Sequence, residues 1–279
     1  MTTALHEKLK ATNLKDHIGS KIGLSKAQLL SGEFAADIRE LIEQRGVLVF
    51  PKIDFTEEEQ VAFTETLGTM APEMDGELLY KVTLDSSANV KADYLKGSMY
   101  WHIDGTMSKV PVFASILSGR VLSKEGGNTE FCNTYAAYDA LSDDDKKAIE
   151  KLRVSHSAWA TLFYYDPEPP LQKVQEMMRI GENNLPLVWK HASGRKSLVI
   201  GATAHHVLDM DHMESTQLLV RLREWATQEQ FTYSHTWTVG DTVMWDNTGT
   251  MHRATPYDPN SGRMMLRTKL KGEESFEAA

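Results

Sequence analysis

A histidine and an aspartate stand two residues apart in the stretch 100–106, which reads YWHIDGT. On an extended segment, the side chains of His102 and Asp104 leave the backbone on the same face. An imidazole nitrogen and a carboxylate oxygen placed in this way can take adjacent positions around one metal ion. A second histidine would complete a 2-His-1-carboxylate set that leaves positions open for an organic co-substrate and oxygen. The pair alone also fits a strand-end histidine capped by an aspartate in a turn.

His252 is the best candidate for the second histidine ligand. It lies in the segment 245–253, WDNTGTMHR, just after an apolar strand, where a rigid sheet can position its side chain. His6 and His17 lie in the polar amino-terminal region, and His212 lies near the start of a helix. These three are most simply interpreted as solvated.

Two arginines follow His252. Arg263 comes eleven residues later and Arg267 a further four. Positions four apart on a strand face the same side, so both guanidinium groups could enter one cavity. A guanidinium group stays charged and forks onto a carboxylate, which suits it to a dicarboxylate co-substrate. The alternative is that both arginines lie on a solvated strand face.

Composition limits the classes of protein that these residues could serve. A chain of 279 residues is long enough for one sizeable domain, so we predict a single domain over residues 1–279. The net charge of -9 argues against a general nucleic-acid binder. Cys132 is the only cysteine, which excludes an internal disulfide. The polar segment 1–13 and the absence of a run of 18 apolar residues predict a soluble cytoplasmic protein, not a membrane protein.

The elements that must position the candidate residues are mostly strands, with helices clustered early and inserted between them. This pattern predicts a mainly β fold with flanking helices, built on a double-sheet barrel. The individual predictions are a helix over 34–45, a strand over 47–50, a helix capped by Thr56 and Glu59, a helix capped by Ser142, a hairpin over 233–245 that turns at Gly240 and Asp241, a last strand near 264–270 and a frayed tail over 272–279.

Two segments lack a clear hydrophobic period. Residues 69–100 form a long stretch that we interpret as a possible lid or substrate loop, with an uneventful surface excursion as the alternative. Residues 158–186 resemble an insertion over the core. We expect these segments to line a substrate pocket, which makes the substrate the hardest property to predict.

The motifs together resemble a known family. His102, Asp104, His252 and Arg263 occur in order with Gly126-Gly127-Asn128-Thr129 and Trp245-Asp246-Asn247. This set is similar to the iron(II)- and 2-oxoglutarate-dependent dioxygenases of the taurine dioxygenase family. Residues 194–206 and 239–247 bring the resemblance nearest to the 2,4-dichlorophenoxyacetate dioxygenase branch. The similarity extends from the strand at 47–50 to Arg267.

The resemblance implies a double-stranded β-helix, the jelly-roll core also found in cupins, and a role for each matching residue. It implies that His102, Asp104 and His252 bind Fe(II), that Thr129 and Arg263 hold the distal carboxylate of 2-oxoglutarate, that Arg267 lies near the acid group of the substrate, and that His206 contacts the substrate. The adjacent His205 leaves the register of that last position open.

The implied reaction is the hydroxylation of a small or medium organic acid, such as an aryloxyalkanoate, with O2 consumed and succinate and CO2 released. Asp104 favours hydroxylation, because a halogenating relative needs a small residue at that position. Lys81, Lys91 or Lys96 could assist Arg267 in holding the substrate.

The alternatives are a sulfonate or alkyl-sulfate dioxygenase with the same machinery, a metal-dependent hydrolase, and a barrel that binds ligand without turnover. Arg263 argues against the hydrolase, since hydrolysis needs no dicarboxylate clamp. The resemblance also implies a homo-oligomer, either a dimer or a tetramer.

Overall fold

Two sheets face each other and enclose an apolar layer between them. The computed structural model describes residues 2–73, 76–87, 89 and 92–277. The α-helices are α1 (Thr2–Leu9), α2 (Lys26–Leu30), α3 (Ala35–Arg45), α4 (Glu57–Leu67), α5 (Ala92–Leu95), α6 (Thr134–Asp139), α7 (Asp143–Ile149), α8 (Ala158–Tyr165), α9 (Leu171–Met178) and α10 (His212–Ala226), and short 3-10 helices span Lys96–Met99 and Glu229–Phe231. The strands are β1 (Thr12–Asn13), β2 (Ser20–Lys21), β3 (Val47–Phe50), β4 (Tyr80–Val82), β5 (Ala114–Val121), β6 (Thr129–Asn133), β7 (Arg153–Ser157), β8 (Glu182–Pro186), β9 (Val188–Lys190), β10 (Lys196–Leu198), β11 (Ala204–Val207), β12 (Thr232–His235), β13 (Thr242–Asp246), β14 (Thr250–Ala254) and β15 (Met264–Leu270).

The larger sheet has the strand order β1-β2-β3-β13-β5-β15-β4, and the smaller sheet facing it has the order β12-β6-β14. Phe131 of β6 packs between them against side chains of the larger sheet, namely Val47, Val49, Leu117, Val243, Trp245 and Met265. The other described strands form two further sheets, with the orders β11-β7-β8 and β10-β9. The predicted double-sheet core is therefore confirmed.

Helices cover the outer face of the larger sheet. Because successive strand residues point to opposite faces, Leu48 and Phe50 of β3 point away from the layer between the sheets. They pack against Ile38 of α3 and Phe63 of α4 in a second apolar cluster. None of the described helices combines the length and the apolar character that a membrane span requires.

Several local predictions are confirmed by the helix ends. Thr56 caps α4 and forms a capping box with Glu59, and the Ser142 hydroxyl accepts a hydrogen bond from the first turn of α7. Gly46 follows α3 with a φ of 70°, a left-handed conformation that glycine adopts without a side-chain penalty. β15 spans the predicted residues Met264–Leu270.

The predicted hairpin over 233–245 is wrong. Strand β12 pairs with β6, whereas β13 pairs with β3 and β5, so the two strands belong to different sheets. The turn exists, with Gly240 at a φ of 89° and the Asp241 carboxylate accepting a hydrogen bond from the Thr238 amide. It carries the chain from the smaller sheet to the larger one.

The predicted fraying of the tail over 272–279 is also wrong for the part that the structure describes. Phe276 is buried and packs against Trp189, with ring centroids 4.5 Å apart and the rings tilted by 47°. The Glu274 carboxylate accepts a hydrogen bond from the Ala192 amide and lies 3.1 Å from Nδ1 of His191. Residues 278 and 279 lie outside the described residues.

The two segments without a clear period contain regular elements. Segment 69–100 includes β4, α5 and a 3-10 helix, and β4 pairs with β15. Residues 74, 75, 88, 90 and 91 of this segment lie outside the described residues. Segment 158–186 forms α8, α9 and β8 around a small apolar cluster that includes Leu162 and Met177.

Candidate active site

Two separate segments bring His102, Asp104 and His252 together. The backbone amides of His102 and His252 each donate a hydrogen bond to the other's carbonyl oxygen, at 3.1 and 2.9 Å, and His252 lies on β14. Trp101 and Ile103 are buried in an apolar cluster. The alternation along 101–104 therefore directs the His102 and Asp104 side chains to the other face, as the sequence predicts.

The three side chains have the spacing of a metal-binding set. Nε2 of His102 lies 3.8 Å from Oδ1 of Asp104, and Nε2 of His252 lies 3.8 Å from Oδ2 of the same carboxylate. One ligand atom from each residue lies within 4.8 Å of the others. Nδ1 of His102 lies 2.8 Å from the carbonyl oxygen of Tyr100, which fixes the ring with Nε2 turned toward Asp104. Two imidazoles and one carboxylate fit a divalent transition metal such as iron(II).

A hydrogen-bonded chain holds Asp104 from behind. The Ser115 hydroxyl donates to Oδ2 of Asp104 at 3.2 Å, and the Asn247 amide group donates to the Ser115 hydroxyl at 2.9 Å. The Trp245 indole donates to Oδ1 of Asn247 at 2.9 Å. Trp245 and Asn247 of the motif at 245–247 therefore orient the carboxylate through Ser115, whereas Asp246 accepts hydrogen bonds from Thr248.

The electrostatic surroundings favour the protonation states that a metal requires. Burial alone would raise the pKa of Asp104, but the electrostatic effects of the His252 imidazole, of Arg267 and of other nearby groups outweigh burial and lower it. Burial lowers the pKa of His252 well below its ordinary value. A carboxylate and a neutral imidazole result, and both can donate an electron pair to a metal ion.

Arg263 and Thr129 lie on either side of a tight glycine turn. Nη2 of Arg263 donates to the carbonyl oxygen of Gly127 at 3.0 Å, and the guanidinium lies 4.6 Å from the centre of the Tyr257 ring. A Cβ atom on Gly127 would lie 2.9 Å from Nε of Arg263, so only glycine permits this approach. Arg263 is buried, and no acidic side chain forms an ion pair with it within the described part of the chain.

The hydroxyl of Thr129 already has a donor. The indole of Trp237 donates to Oγ1 of Thr129 at 3.0 Å, which leaves the Thr129 proton free to be donated to another group. Thr129 is the first residue of β6 and is buried. Arg263 and Thr129 together thus present a buried cation and a hydroxyl donor beside one turn.

Arg267 lies beside the metal-binding candidates and is already paired. Its Nη1 lies 3.9 Å from Oδ2 of Asp104, while its Nε and Nη2 fork onto the two carboxylate oxygens of Glu73 at 3.0 Å each. Nζ of Lys269 lies 3.0 Å from Oε2 of Glu73. Burial opposes the charge of Arg267, but Asp104 and Glu73 outweigh burial and raise its pKa.

Comparison with known proteins matches this arrangement to one family. The sequence profile described as "Taurine catabolism dioxygenase TauD, TfdA family" matches residues 9–269. The chain belongs to the TauD/TfdA family. A relative is the (S)-phenoxypropionate/alpha-ketoglutarate-dioxygenase of Sphingobium herbicidovorans, 35% identical over 244 residues that cover 84% of each chain.

Two further comparisons agree with this membership. The alpha-ketoglutarate-dependent 2,4-dichlorophenoxyacetate dioxygenase of Cupriavidus pinatubonensis is 35% identical over 249 residues, which cover 83% of this chain and 86% of that one. The crystal structure of AAD-2 in complex with Mn(II) and N-oxalylglycine superposes with a TM-score of 0.81 and 32% identity, over 95% of this chain and 98% of that one. This TauD/TfdA protein is therefore an alpha-ketoglutarate (2-oxoglutarate)-dependent dioxygenase, an oxidoreductase that uses Fe(II), 2-oxoglutarate and O2, and its predicted fold class is confirmed.

The two adjacent histidines of β11 face different neighbours. His205 lies against Trp159, with ring centroids 4.6 Å apart, and both line a cavity of about 240 Å³ together with Phe163. The ring of His206 lies 5.4 Å from that of His212, and within the described residues its Nδ1 is buried without a hydrogen-bond partner. The structure thus does not group His206 with the contacts around Asp104, and its role toward the substrate stays a prediction.

The lysines expected to help Arg267 have other partners. Lys81 pairs with Glu57 at 3.4 Å, and Lys96 pairs with Asp93 at 2.8 Å, both at exposed sites. Lys91 lies outside the described residues. The lysine beside Arg267 is Lys269, which the sequence analysis missed although it shares the strand face of Arg267.

Proposed function

We propose that this dioxygenase hydroxylates an aryloxyalkanoate-like carboxylate at the carbon that bears the ether oxygen. The single observation that carries this proposal is the position of Arg267, a half-buried guanidinium 3.9 Å from Asp104. An organic acid whose carboxylate binds Arg267 would place its neighbouring carbon beside the metal-binding candidates. Two relatives, a phenoxypropionate dioxygenase and a 2,4-dichlorophenoxyacetate dioxygenase, support the same substrate class.

Each candidate site residue would have a distinct role in the reaction. His102, Asp104 and His252 would hold iron(II), which when bound supplies the activation of O2. Thr129 and Arg263 would bind the distal carboxylate of 2-oxoglutarate through a hydroxyl donor and a buried cation. Arg267 would orient the substrate. Ser115 would keep Asp104 in its ligand geometry.

One atom of O2 enters the hydroxylated substrate and the other enters succinate, so the overall reaction balances. Substrate, 2-oxoglutarate and O2 yield hydroxylated substrate, succinate and CO2. A hydroxyl group on a carbon that bears an ether oxygen makes a hemiacetal, which loses the aryl oxide with a proton and leaves an aldehyde. Phenoxyacetate would therefore give phenol and glyoxylate.

The domain organisation, the cellular location and the oligomeric state of the protein are proposed as well. We propose a single domain in which segment 69–100 closes over the substrate, and a cytoplasmic homo-oligomer, either a dimer or a tetramer, that binds no nucleic acid. The net charge of -9 supports the last point, since a nucleic-acid surface needs basic residues. Light scattering of the purified protein tests the oligomeric state.

The decisive experiment measures succinate release from 2-oxoglutarate with iron(II), under air and under nitrogen. The panel contains phenoxyacetate, hexanoate, hexyl sulfate and an alkylsulfonate. We expect oxygen-dependent succinate with phenoxyacetate, together with stoichiometric phenol. Oxygen-dependent succinate confined to hexyl sulfate or the sulfonate would favour the alternative reaction. Consumption of a panel compound under nitrogen without succinate release would favour a hydrolase. No oxygen-dependent succinate with any acid would refute the proposal.

A further inference from the structure

Glu73 is a buried carboxylate that the proposed reaction does not use. It is 8% exposed, and its two oxygens accept the forked pair of hydrogen bonds from Arg267. Its Oε2 also lies 3.0 Å from Nζ of Lys269. This is the bidentate geometry in which an arginine binds a carboxylate ligand.

Backbone hydrogen bonds bring Glu73 to this position. The amide of Ala71 donates to the carbonyl oxygen of Lys269, and the amide of Lys271 donates to that of Thr69, so segment 69–71 runs beside the end of β15. The amide of Glu73 then donates to the carbonyl oxygen of Glu77 at 2.8 Å. These backbone contacts hold Glu73 with its side chain directed toward β15.

We propose that the Glu73 carboxylate occupies the position on Arg267 that the substrate carboxylate takes when it binds, so that the two carboxylates compete for Arg267. This inference rests on the proposed function only for the identity of the competing anion. An incoming carboxylate would take over the fork of Arg267, and Glu73 would keep its contact with Lys269. The half-buried guanidinium is thereby paired in both cases, with Glu73 or with the substrate carboxylate.

Glu73 also affects the affinity for anions. Arg267 lies 3.0 Å from the Glu73 carboxylate and 3.9 Å from the Asp104 carboxylate, so these two acids balance the charges of Arg267 and Lys269. An incoming anion must displace Glu73 from Arg267. This requirement lowers the apparent affinity for the anion, since the open form of Arg267 is only a fraction of the population.

The test measures anion binding by isothermal titration calorimetry, with Mn(II) and N-oxalylglycine present to prevent turnover. Phenoxyacetate, hexyl sulfate and acetate are titrated into the wild type and into Glu73→Gln. Removing the competing charge should tighten binding by about tenfold if the paired state is about ten times more populated than the open one. Glu57→Gln removes the same charge from an exposed pair and should leave the affinities unchanged.

The three anions separate this inference from the proposed function. In one outcome, Glu73→Gln binds acetate and hexyl sulfate more tightly than the wild type does while neither protein binds phenoxyacetate. That result would refute the aryloxyalkanoate substrate but support the competition between Glu73 and an anion. Equal or weaker binding of every anion by Glu73→Gln would show that Glu73 only positions Arg267 and would overturn the inference. Should Glu73→Gln fail to fold, Glu73→Asp keeps the charge but is too short to reach both cations, and it should also bind the anions more tightly.

Discussion

The Ser115 hydroxyl donates a hydrogen bond of 3.2 Å to Oδ2 of Asp104, the carboxylate shared by the metal-binding candidates. Ser115 is itself fixed by Asn247, and Asn247 by Trp245. Strands β5 and β13, which pair directly, thus set the orientation of Asp104 from within the larger sheet. Side chains that do not themselves belong to the candidate metal set therefore fix the orientation of this carboxylate.

Removing this hydrogen bond should weaken metal binding. We expect Ser115→Ala to raise the Kd for Mn(II) by about 10- to 100-fold, the usual effect of losing a partner that orients a ligand. Calorimetric titration of the metal-free protein measures this. Ser118→Ala removes a buried hydroxyl of the same strand that bonds with Thr242, so it serves as the control. Equal changes in both variants would show a general loss of stability instead.

The carboxylate itself should be indispensable. We expect Asp104→Ala to abolish oxygen-dependent succinate release, because two imidazoles alone do not complete the three-ligand set. Glu229→Ala removes an exposed carboxylate that pairs with Lys15, and it should keep wild-type turnover. Unchanged activity in Asp104→Ala would remove Asp104 from the metal site.

Trp237 should act on 2-oxoglutarate through Thr129. Trp237→Phe removes the indole donor, and the Thr129 hydroxyl is then free to rotate away from the co-substrate. We expect the KM for 2-oxoglutarate to rise about fivefold with little change in kcat, as for the loss of a hydrogen bond worth about 1 kcal/mol. Trp225→Phe also loses an indole hydrogen bond, to the carbonyl oxygen of Ala137, and is the matched control. A lower kcat with an unchanged KM would contradict this role.

The carboxyl-terminal segment should contribute to stability. Phe276→Ala would leave a cavity against Trp189, and we expect the free energy of unfolding to fall by about 3–5 kcal/mol. Urea denaturation measures the change. Phe163→Ala truncates a phenylalanine that is 43% exposed and should cost far less. Similar losses in the two variants would mean that the segment is loosely held in solution.

His156 should make the protein sensitive to acid. Burial lowers the pKa of His156 to about 3, and the Val199 backbone and His205 make smaller contributions. Between its ordinary pKa of 6.5 and about 3, the unfolded chain binds a proton that the folded protein does not bind. The free energy of unfolding should therefore fall as the pH falls through this window, by up to about 1.4 kcal/mol per pH unit.

The matching variant is His156→Gln, which cannot take up that proton. Urea denaturation of both proteins between pH 4.5 and 6.5 should give a shallower pH dependence for the variant. Parallel profiles for the two proteins would show that His156 is not the group responsible.

The parts of the site that sequence could predict are those whose geometry follows from local periodicity. The two-residue spacing of His102 and Asp104 fixes a common face on any extended segment. The same alternation puts Lys269 on the face of Arg267, so that residue could have been found. The position of Glu73 could not have been predicted, because segment 69–100 has no clear hydrophobic period. Glu73 is placed by backbone hydrogen bonds of its neighbours with residues almost 200 positions later. The false hairpin has the same cause, since the partner of β12 is β6, about a hundred residues earlier.

Strand β15 carries Arg267 and Lys269, and Arg263 comes just before it. Its register against β5 shifts between Met264 and Met265, so an irregularity separates Arg263 from the other two cations. A slip of one residue beyond that point would turn Arg267 and Lys269 to the opposite face of the sheet. Arg263 would keep its place beside Gly127. Deleting a single residue from β15 after Met264 would thus spare the proposed co-substrate contact of Arg263 and remove both cations of the proposed substrate site.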